Sequence, residues 1–516
     1  MMNERRKCMG DNSRTTNSKK NVSANLALYF MQSLLSFVVR TIFIKRLGAE
    51  LIGLDNLLLN ILAMLSVAEL GFSTAISYAL YKPLAENDIS KINAFMSFYR
   101  KVYNAIGCII LVLGSLLAIF LKNLVKGYDY KYIYLVYFLY LFYTAVQYFI
   151  SYKEVLLFAD QKEYKIFKFN FALTMLIYIL QILLLLFHPD YVFYICITII
   201  CKILYRSIAN RYITKYYSDV DFKSKSKLEV NETKKIRENV LGLFVYKVGE
   251  YAINCTDNII ISAFINIITV GLYTNYLSIV TVFRTILKRV FAGITASFGN
   301  LSTMNDKIKE EDTFIKMSFL GLLLSGYISL ILLLLFNPLV TVWLGKQYVL
   351  SFISVCFIVI NFYLAVNQIP LDTVKEAKGF YKKDRYVPLI QAVINVGLSV
   401  VLAIIIGFNG VLIATSLSYI LTVTWNKPYM IYKYVFEKKP TAYFIRQVEY
   451  ILVCCIIYFA CSKLFCVINL SAGFLKLLVE GALSSVVYAL MITVFFCRTK
   501  EYKYLYSLAF RIIKRK

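Results

Sequence analysis

Apolar runs of about twenty residues recur along the whole chain, and each is long enough to cross the hydrocarbon core of a bilayer as a helix. Fourteen can be placed: 22–44, 51–80, 94–121, 130–152, 166–187, 190–213, 239–264, 268–298, 314–337, 348–373, 386–407, 409–432, 444–468 and 473–497. Inside lipid every backbone N–H and C=O must be paired within the structure, so only helices or a closed barrel can span. The runs are continuous rather than alternating, which excludes a barrel. Composition agrees: 59% of residues are hydrophobic and 17% charged, with a mean hydropathy of +0.65, whereas soluble domains carry about a quarter charged. The predicted fold class is an all-α polytopic membrane protein with about 14 transmembrane helices.

Charge gives the orientation. Most of the 57 Lys and Arg residues fall in the N-terminal tail, in the loops after every even-numbered span, and in the C-terminal tail. Cytoplasmic loops hold such an excess, so both termini are expected in the cytoplasm. The net charge of +27 is then a topology signal and a contact for anionic headgroups, and no nucleic-acid partner is implied. The run 22–44 is too long for a signal-peptide core and lacks a small-residue cleavage site, so it reads as a retained span. The last nineteen residues read as a basic amphipathic tail on the inner membrane face.

The chain repeats itself. Asn21-Val22, Gly53-Leu54 and Asn87-Asp88 recur as Asn239-Val240, Gly271-Leu272 and Asn305-Asp306, each 218 positions later. An even number of spans separates the copies, so the halves should run in the same direction, related by an axis along the membrane normal. The expected organisation is a cytoplasmic tail (1–20), a six-helix lobe (21–215), a solvated linker (216–238), a second six-helix lobe (239–432), two further helices (433–497) and the basic tail (498–516). Lys82-Pro83, His188-Pro189, Asn337-Pro338 and Asn409-Gly410 are expected to break the chain between spans. Asp219-Val220-Asp221 has the spacing of a metal-binding DxD, but a solvated linker is the default reading.

Charged residues interrupt the apolar runs. Lys247, Glu250, Asn254 and Asp257 are spaced by three, four and three, so they share one side of a helix. Thr274, Leu277, Thr281, Arg284 and Lys288 form a mostly polar stripe on the next span. A charge at the centre of a membrane helix costs about 2.5–3.5 kcal/mol, so these groups must meet a partner, a wet cavity or the membrane surface. Two readings stand: the stripes line a solvated path, or Lys247 and Glu250 simply neutralise each other. The first lobe has its own stripe in Asn25, Gln32, Ser33, Ser36 and Arg40, followed by Asp55, Asn56, Asn60 and Glu69. Glu69 precedes Gly71, a position suited to a bend; it either belongs to a binding level or pairs with a nearby cation. The abundant Tyr and Phe residues read as interfacial belts and core packing. Most of the cysteines lie in apolar runs as small hydrophobes, with no CxxC pair. The lone histidine, His188, rules out a multi-histidine metal site or relay.

Three stretches carry a family resemblance: RTIFIKRLGAELIGL (Arg40 to Leu54), LSVAELGFSTAISYALYKPLAENDISKI (Leu65 to Ile92), and INCTDNIIISAF with VGLYTNYLSIV (Ile253 to Val280). In these the chain resembles the polysaccharide flippases, exporters of lipid-linked oligosaccharide repeat units within the multidrug/oligosaccharidyl-lipid/polysaccharide exporter superfamily. The likeness covers spans 1–12. It implies a non-enzymatic transporter of the bacterial cytoplasmic membrane, acting by alternating access between two lobes. The implied substrate is an undecaprenyl-pyrophosphate-linked oligosaccharide for capsule, O-antigen or exopolysaccharide assembly. It further implies that cavity cations meet the pyrophosphate or acidic sugars. Arg40 and Arg284 match that role, with Lys247 and Lys288 as further positions. A polysaccharide polymerase and glycosyltransferases would be its pathway partners, and the chain would act as a monomer.

The chemistry is consistent with that picture. A pyrophosphate leaving water needs fixed positive charge, and Arg offers a two-pronged donor to phosphate. Coupling to a proton or sodium gradient needs a carboxylate; Asp257 and Glu250 are the best placed, then Glu69. No GxxxxGK[ST] loop occurs, so direct ATP drive is not expected, and no cofactor is called for. The alternatives are an ion-coupled drug antiporter of the same fold, a flippase for the peptidoglycan precursor, and a membrane polysaccharide polymerase. The short outer loops argue against the last.

Overall fold

The computed structural model describes residues 31–69, 72–125, 131–160, 162–224, 226–302, 306–378, 386–467 and 473–514. Among these there is no strand. Ten helices are long and apolar enough to cross a membrane. The other four expected spans are helical too: residues 31–47, Ala49–Leu65, Val230–Phe264 and Ile267–Ser302. The last two carry the charged and amide side chains read as stripes, which lowers their hydropathy.

The chain forms two compact units. One holds residues up to 52 together with 68–121 and 129–241; the other holds 53–67, 122–128 and 242 onward. The switch near residue 67 coincides with an interruption of the second predicted span. Helix Ala49–Leu65 gives way to a tight turn at Ser66–Glu69, and a new helix runs Phe72–Glu86.

The repeat has physical content. Asp88 caps helix Ile89–Leu117 by accepting from the Lys91 N–H at 3.0 Å. Asp306, 218 positions later, caps helix Lys307–Trp343 by accepting from the Lys309 N–H at 3.1 Å. Such a cap satisfies one of the orphan donors of a first helical turn. The repeated glycines also meet within the second unit: a Cβ on Gly53 would lie 2.4 Å from the Ile267 carbonyl oxygen and 2.8 Å from the Gly271 nitrogen. Two backbones approach this closely only where small residues face each other. Asn21, Asn305 and Val22 lie outside the described residues.

Three expectations are corrected. Pro83 and Pro338 do not break the chain; they lie inside helices Phe72–Glu86 and Lys307–Trp343. A proline removes only one ladder bond, and both helices continue through it although Pro83 is buried and Pro338 exposed. Asn409-Gly410 lies within helix Phe408–Leu421, and the turn falls two positions before Asn409, at Gly407, whose φ of +71° suits glycine. The linker is folded rather than solvated at its start. Val220 and Phe222 are buried, the Asp221 N–H donates to Asn93 Oδ1 at 2.9 Å, and Arg100 donates to the Phe222 carbonyl at 3.0 Å. The DxD is part of this turn: Asp221 Oδ1 accepts from the Lys223 N–H at 2.8 Å.

Two predicted single spans of the second unit are each interrupted. Helix Phe352–Val366 stops at Asn367-Gln368 before Ile369–Lys378. Pro370 has no N–H to return to the Val366 carbonyl, which opens the ladder there. Helix Phe408–Leu421 stops at Thr422 (φ −123°, ψ −86°) before Val423–Ile431. The Thr422 hydroxyl turns back to the Ser418 carbonyl, the local bond by which threonine competes with the helical ladder.

Candidate functional site

Helix Val230–Phe264 is held against helix Val387–Ile406 at Gly249, where an added Cβ would lie 2.3 Å from the Pro388 carbonyl carbon. Two turns further on, the same helix presents Asp257, 9% exposed, to Asn395 and Thr415. These two come from the helices on either side of the Gly407 turn. Thr415 Oγ1 lies 3.2 Å from Asp257 Oδ2 and 3.1 Å from the Val411 carbonyl, and it accepts from Asn395 Nδ2 at 3.1 Å. A hydroxyl carries one proton, so it satisfies Asp257 or Val411, not both. Asp257 Oδ1, Asn395 Oδ1, Asn258 Oδ1 and Ser399 Oγ have no hydrogen-bond partner. Within the trio itself, Asp257 Oδ1 and Asn395 Oδ1 are acceptors left unmet at a buried carboxylate. Each unmet buried group costs about 1–3 kcal/mol, a deficit that a proton or a small cation would relieve.

One helical turn away the three helices contribute again. Ile253, Gln391 and Tyr419 stand four residues from Asp257, Asn395 and Thr415 and line a pocket of about 70 Å³. All three steps lead toward the same end of the bundle, because the third helix runs opposite to the other two. Both interrupted helices flank this pocket: Gln368 and Ile369 come from one break, Tyr419 and Val423 from the other. Irregular backbone at membrane depth is characteristic of places where a polar cavity must be lined. Lys427 Nζ reaches Asp372 Oδ1 at 2.6 Å, tying together the two segments that follow the breaks. Arg284 and Lys288 complete the polar wall; Arg284 is half-buried and Lys288 exposed. Gln391 and Gln368 are buried to 3% and 6% exposure, yet Gln391 Nε2 and Gln368 Oε1 have no partner.

The structure thus brings Arg284 and Lys288 to one pocket and sets Asp257 a turn away. Lys247 and Glu250 lie on the same helix as Asp257, but their side chains, like that of Asn254, lie outside the described ones. In the first unit Arg40 is half-buried in the helix at residues 31–47. Glu69 ends the Ser66–Glu69 turn and accepts a hydrogen bond from the Tyr103 hydroxyl, so its observed partner is a phenol, not a cation. Among the described residues no group of His, Cys, Asp and Glu side chains could hold a metal.

Sequence reasoning passed over Gln368, Asp372, Gln391, Asn395, Thr415 and Lys427. A signal was present: Gln391, Asn395 and Ser399 recur every four residues along an otherwise apolar run, one polar line on one face.

The family model described as polysaccharide biosynthesis protein matches residues 18–298, more than half of the chain. No curated protein matches. Among solved structures, the lipid II flippase MurJ in an inward closed conformation superposes with a TM-score of 0.62 at 15% identity, over 91% of this chain and 98% of that one. An inward-facing multidrug resistance MATE family transporter of the MOP superfamily gives 0.61 at 14% identity, over 77% and 94%. A MOP superfamily transporter from Pyrococcus furiosus gives 0.52 at 12% identity, over 77% and 90%. At these identities the likeness establishes the fold alone, that of a polytopic helical membrane protein. With the family model spanning the first repeat and into the second, the chain belongs to the polysaccharide biosynthesis protein family.

Proposed function

We propose that this protein carries undecaprenyl-pyrophosphate-linked oligosaccharide repeat units from the cytoplasmic to the outer face of the bacterial cytoplasmic membrane, by alternating access. The basic inner loops favour cytoplasmic termini. Capsule, O-antigen or exopolysaccharide assembly is the setting, with a polymerase and glycosyltransferases acting before and after it. One observation supports this reading most: the Asp257 cluster stands one turn from the pocket that holds Arg284 and Lys288. An acceptor-rich carboxylate site suits a coupling cation, and a cationic pocket suits a pyrophosphate. A turn is about 5.4 Å, close enough for a charge at one to be felt at the other in a partly buried setting. A cation on Asp257 replaces net negative charge beside the pocket and so favours the anionic headgroup there.

The fold likeness to the lipid II flippase over 91% of this chain supports a second reading, a peptidoglycan-precursor flippase. Proteoliposomes loaded with labelled undecaprenyl-pyrophosphate oligosaccharide or with lipid II separate the two. The first reading expects movement of the oligosaccharide lipid, driven by an imposed proton or sodium gradient and lost in Asp257→Asn. Movement of lipid II alone would overturn it.

A further inference from the structure

We infer that the pocket beside Arg284 and Lys288 seats the acetamido group of an N-acetylated amino sugar next to the pyrophosphate. This deepens the proposed function and rests on its reading of the substrate as a lipid-linked saccharide. The residues that line the pocket bring three chemistries together. Gln391 Nε2 is a buried donor without a partner, and Gln368 Oε1 is a buried acceptor without a partner. Ile253, Ile369 and Pro388 supply an apolar wall. An acetamido group has the complement of all three: a carbonyl oxygen for Gln391, an N–H for Gln368, and a methyl for the wall. A sugar hydroxyl offers no methyl, and a phosphate offers no donor at neutral pH.

Size and surroundings agree. The pocket volume of about 70 Å³ is several times the ~10–15 Å³ that holds one water, enough for a small substituent rather than a whole saccharide. Arg284 and Lys288 on the same wall place positive charge where the adjoining phosphates would lie. Asp372, although paired with Lys427, keeps a carboxylate edge beside the pocket that suits neighbouring sugar hydroxyls. A site whose buried polar groups are satisfied only by the right ligand discriminates strongly against an analogue lacking the matching groups, because the analogue leaves them unpaired.

The test uses the full-length protein in proteoliposomes with two probe lipids, undecaprenyl pyrophosphate bearing a single N-acetylglucosamine or a single glucose. Wild type should move the acetamido lipid at least about tenfold faster, and Gln391→Leu and Gln368→Leu should bring the ratio toward one. Gln391→Glu keeps the shape but turns the donor into an acceptor, and should lower the ratio as well. Equal rates in wild type, or a preference that survives all three substitutions, would overturn the inference while leaving the flippase reading intact. Failure of wild type to move either lipid would overturn both.

Discussion

Thr415 Oγ1 lies 3.2 Å from Asp257 Oδ2, although 158 positions separate the two residues. The same oxygen accepts from Asn395, so one hydroxyl sits between a carboxylate and an amide on three helices. Little else satisfies Asp257: its other oxygen has no partner. Under the proposed function, something beyond these side chains completes the site.

If that something is a cation, it should stabilise the folded state by mass action. At a hundred times its dissociation constant the gain is about 2.7 kcal/mol. Thermal unfolding in detergent should shift upward with sodium for wild type and not for Asp257→Asn. A shift produced by lowering pH, with sodium inert, identifies the proton as the coupling ion. No response to either means the cluster binds neither.

Thr415→Val removes the one hydroxyl while keeping the side chain's shape. It leaves Asp257 Oδ2 and Asn395 Nδ2 without their shared partner, so the variant should lose about 1–3 kcal/mol in chemical denaturation. Thr415→Ser should restore most of it. Equal stability of the Val variant and wild type contradicts the described bonding.

Gly249 meets the Pro388–Leu389 backbone, leaving no room for a side chain. Gly249→Leu should push the two helices apart and separate Asp257 from its partners. The expected result is a stability loss of about 3 kcal/mol or more, read by thermal unfolding, with transport abolished. Gly293, where a Cβ would meet nothing within 4 Å, is the control: Gly293→Ala should be tolerated.

The Asp306 cap makes a prediction about acid. Hydrogen bonds from the Lys309 N–H and its ammonium hold the Asp306 carboxyl below its ordinary range. A depressed carboxylate pKa means the stabilisation is present above the unfolded-state value near 4 and is lost as pH falls through the folded one. Asp306→Asn, which can still cap, should be less sensitive to acid between about pH 5 and 3 than wild type. Parallel acid limbs for the two proteins contradict the assignment.

Much of the fold was legible because a bilayer leaves a chain few choices: long apolar runs can only be helices. The repeat was legible as well, since Asp88 and Asp306 cap their helices at the same offset. Asp257 and Arg284 stood out because charges in apolar runs are costly. Their partners did not, because neutral polar residues such as Gln391, Asn395 and Thr415 cost little and serve many purposes in membrane helices. Which of them face Asp257 depends on long-range packing, set by Gly249 and by the turn at Gly407. The interruptions at Gln368 and Thr422 were equally hidden. Pro370 follows a helix break, whereas Pro83 and Pro338 lie within continuous helices.

The central claim is that the Asp257 cluster and the Arg284 pocket are energetically coupled. Its most direct test is the affinity of the purified protein for undecaprenyl-pyrophosphate oligosaccharide, measured with and without the coupling cation. The account predicts that the cation tightens binding, within the roughly 5–150-fold range of ordinary site-to-site coupling, and that the substrate tightens cation binding by the same factor. Asp257→Asn should abolish both effects. Affinities that are independent of one another in wild type would contradict the account.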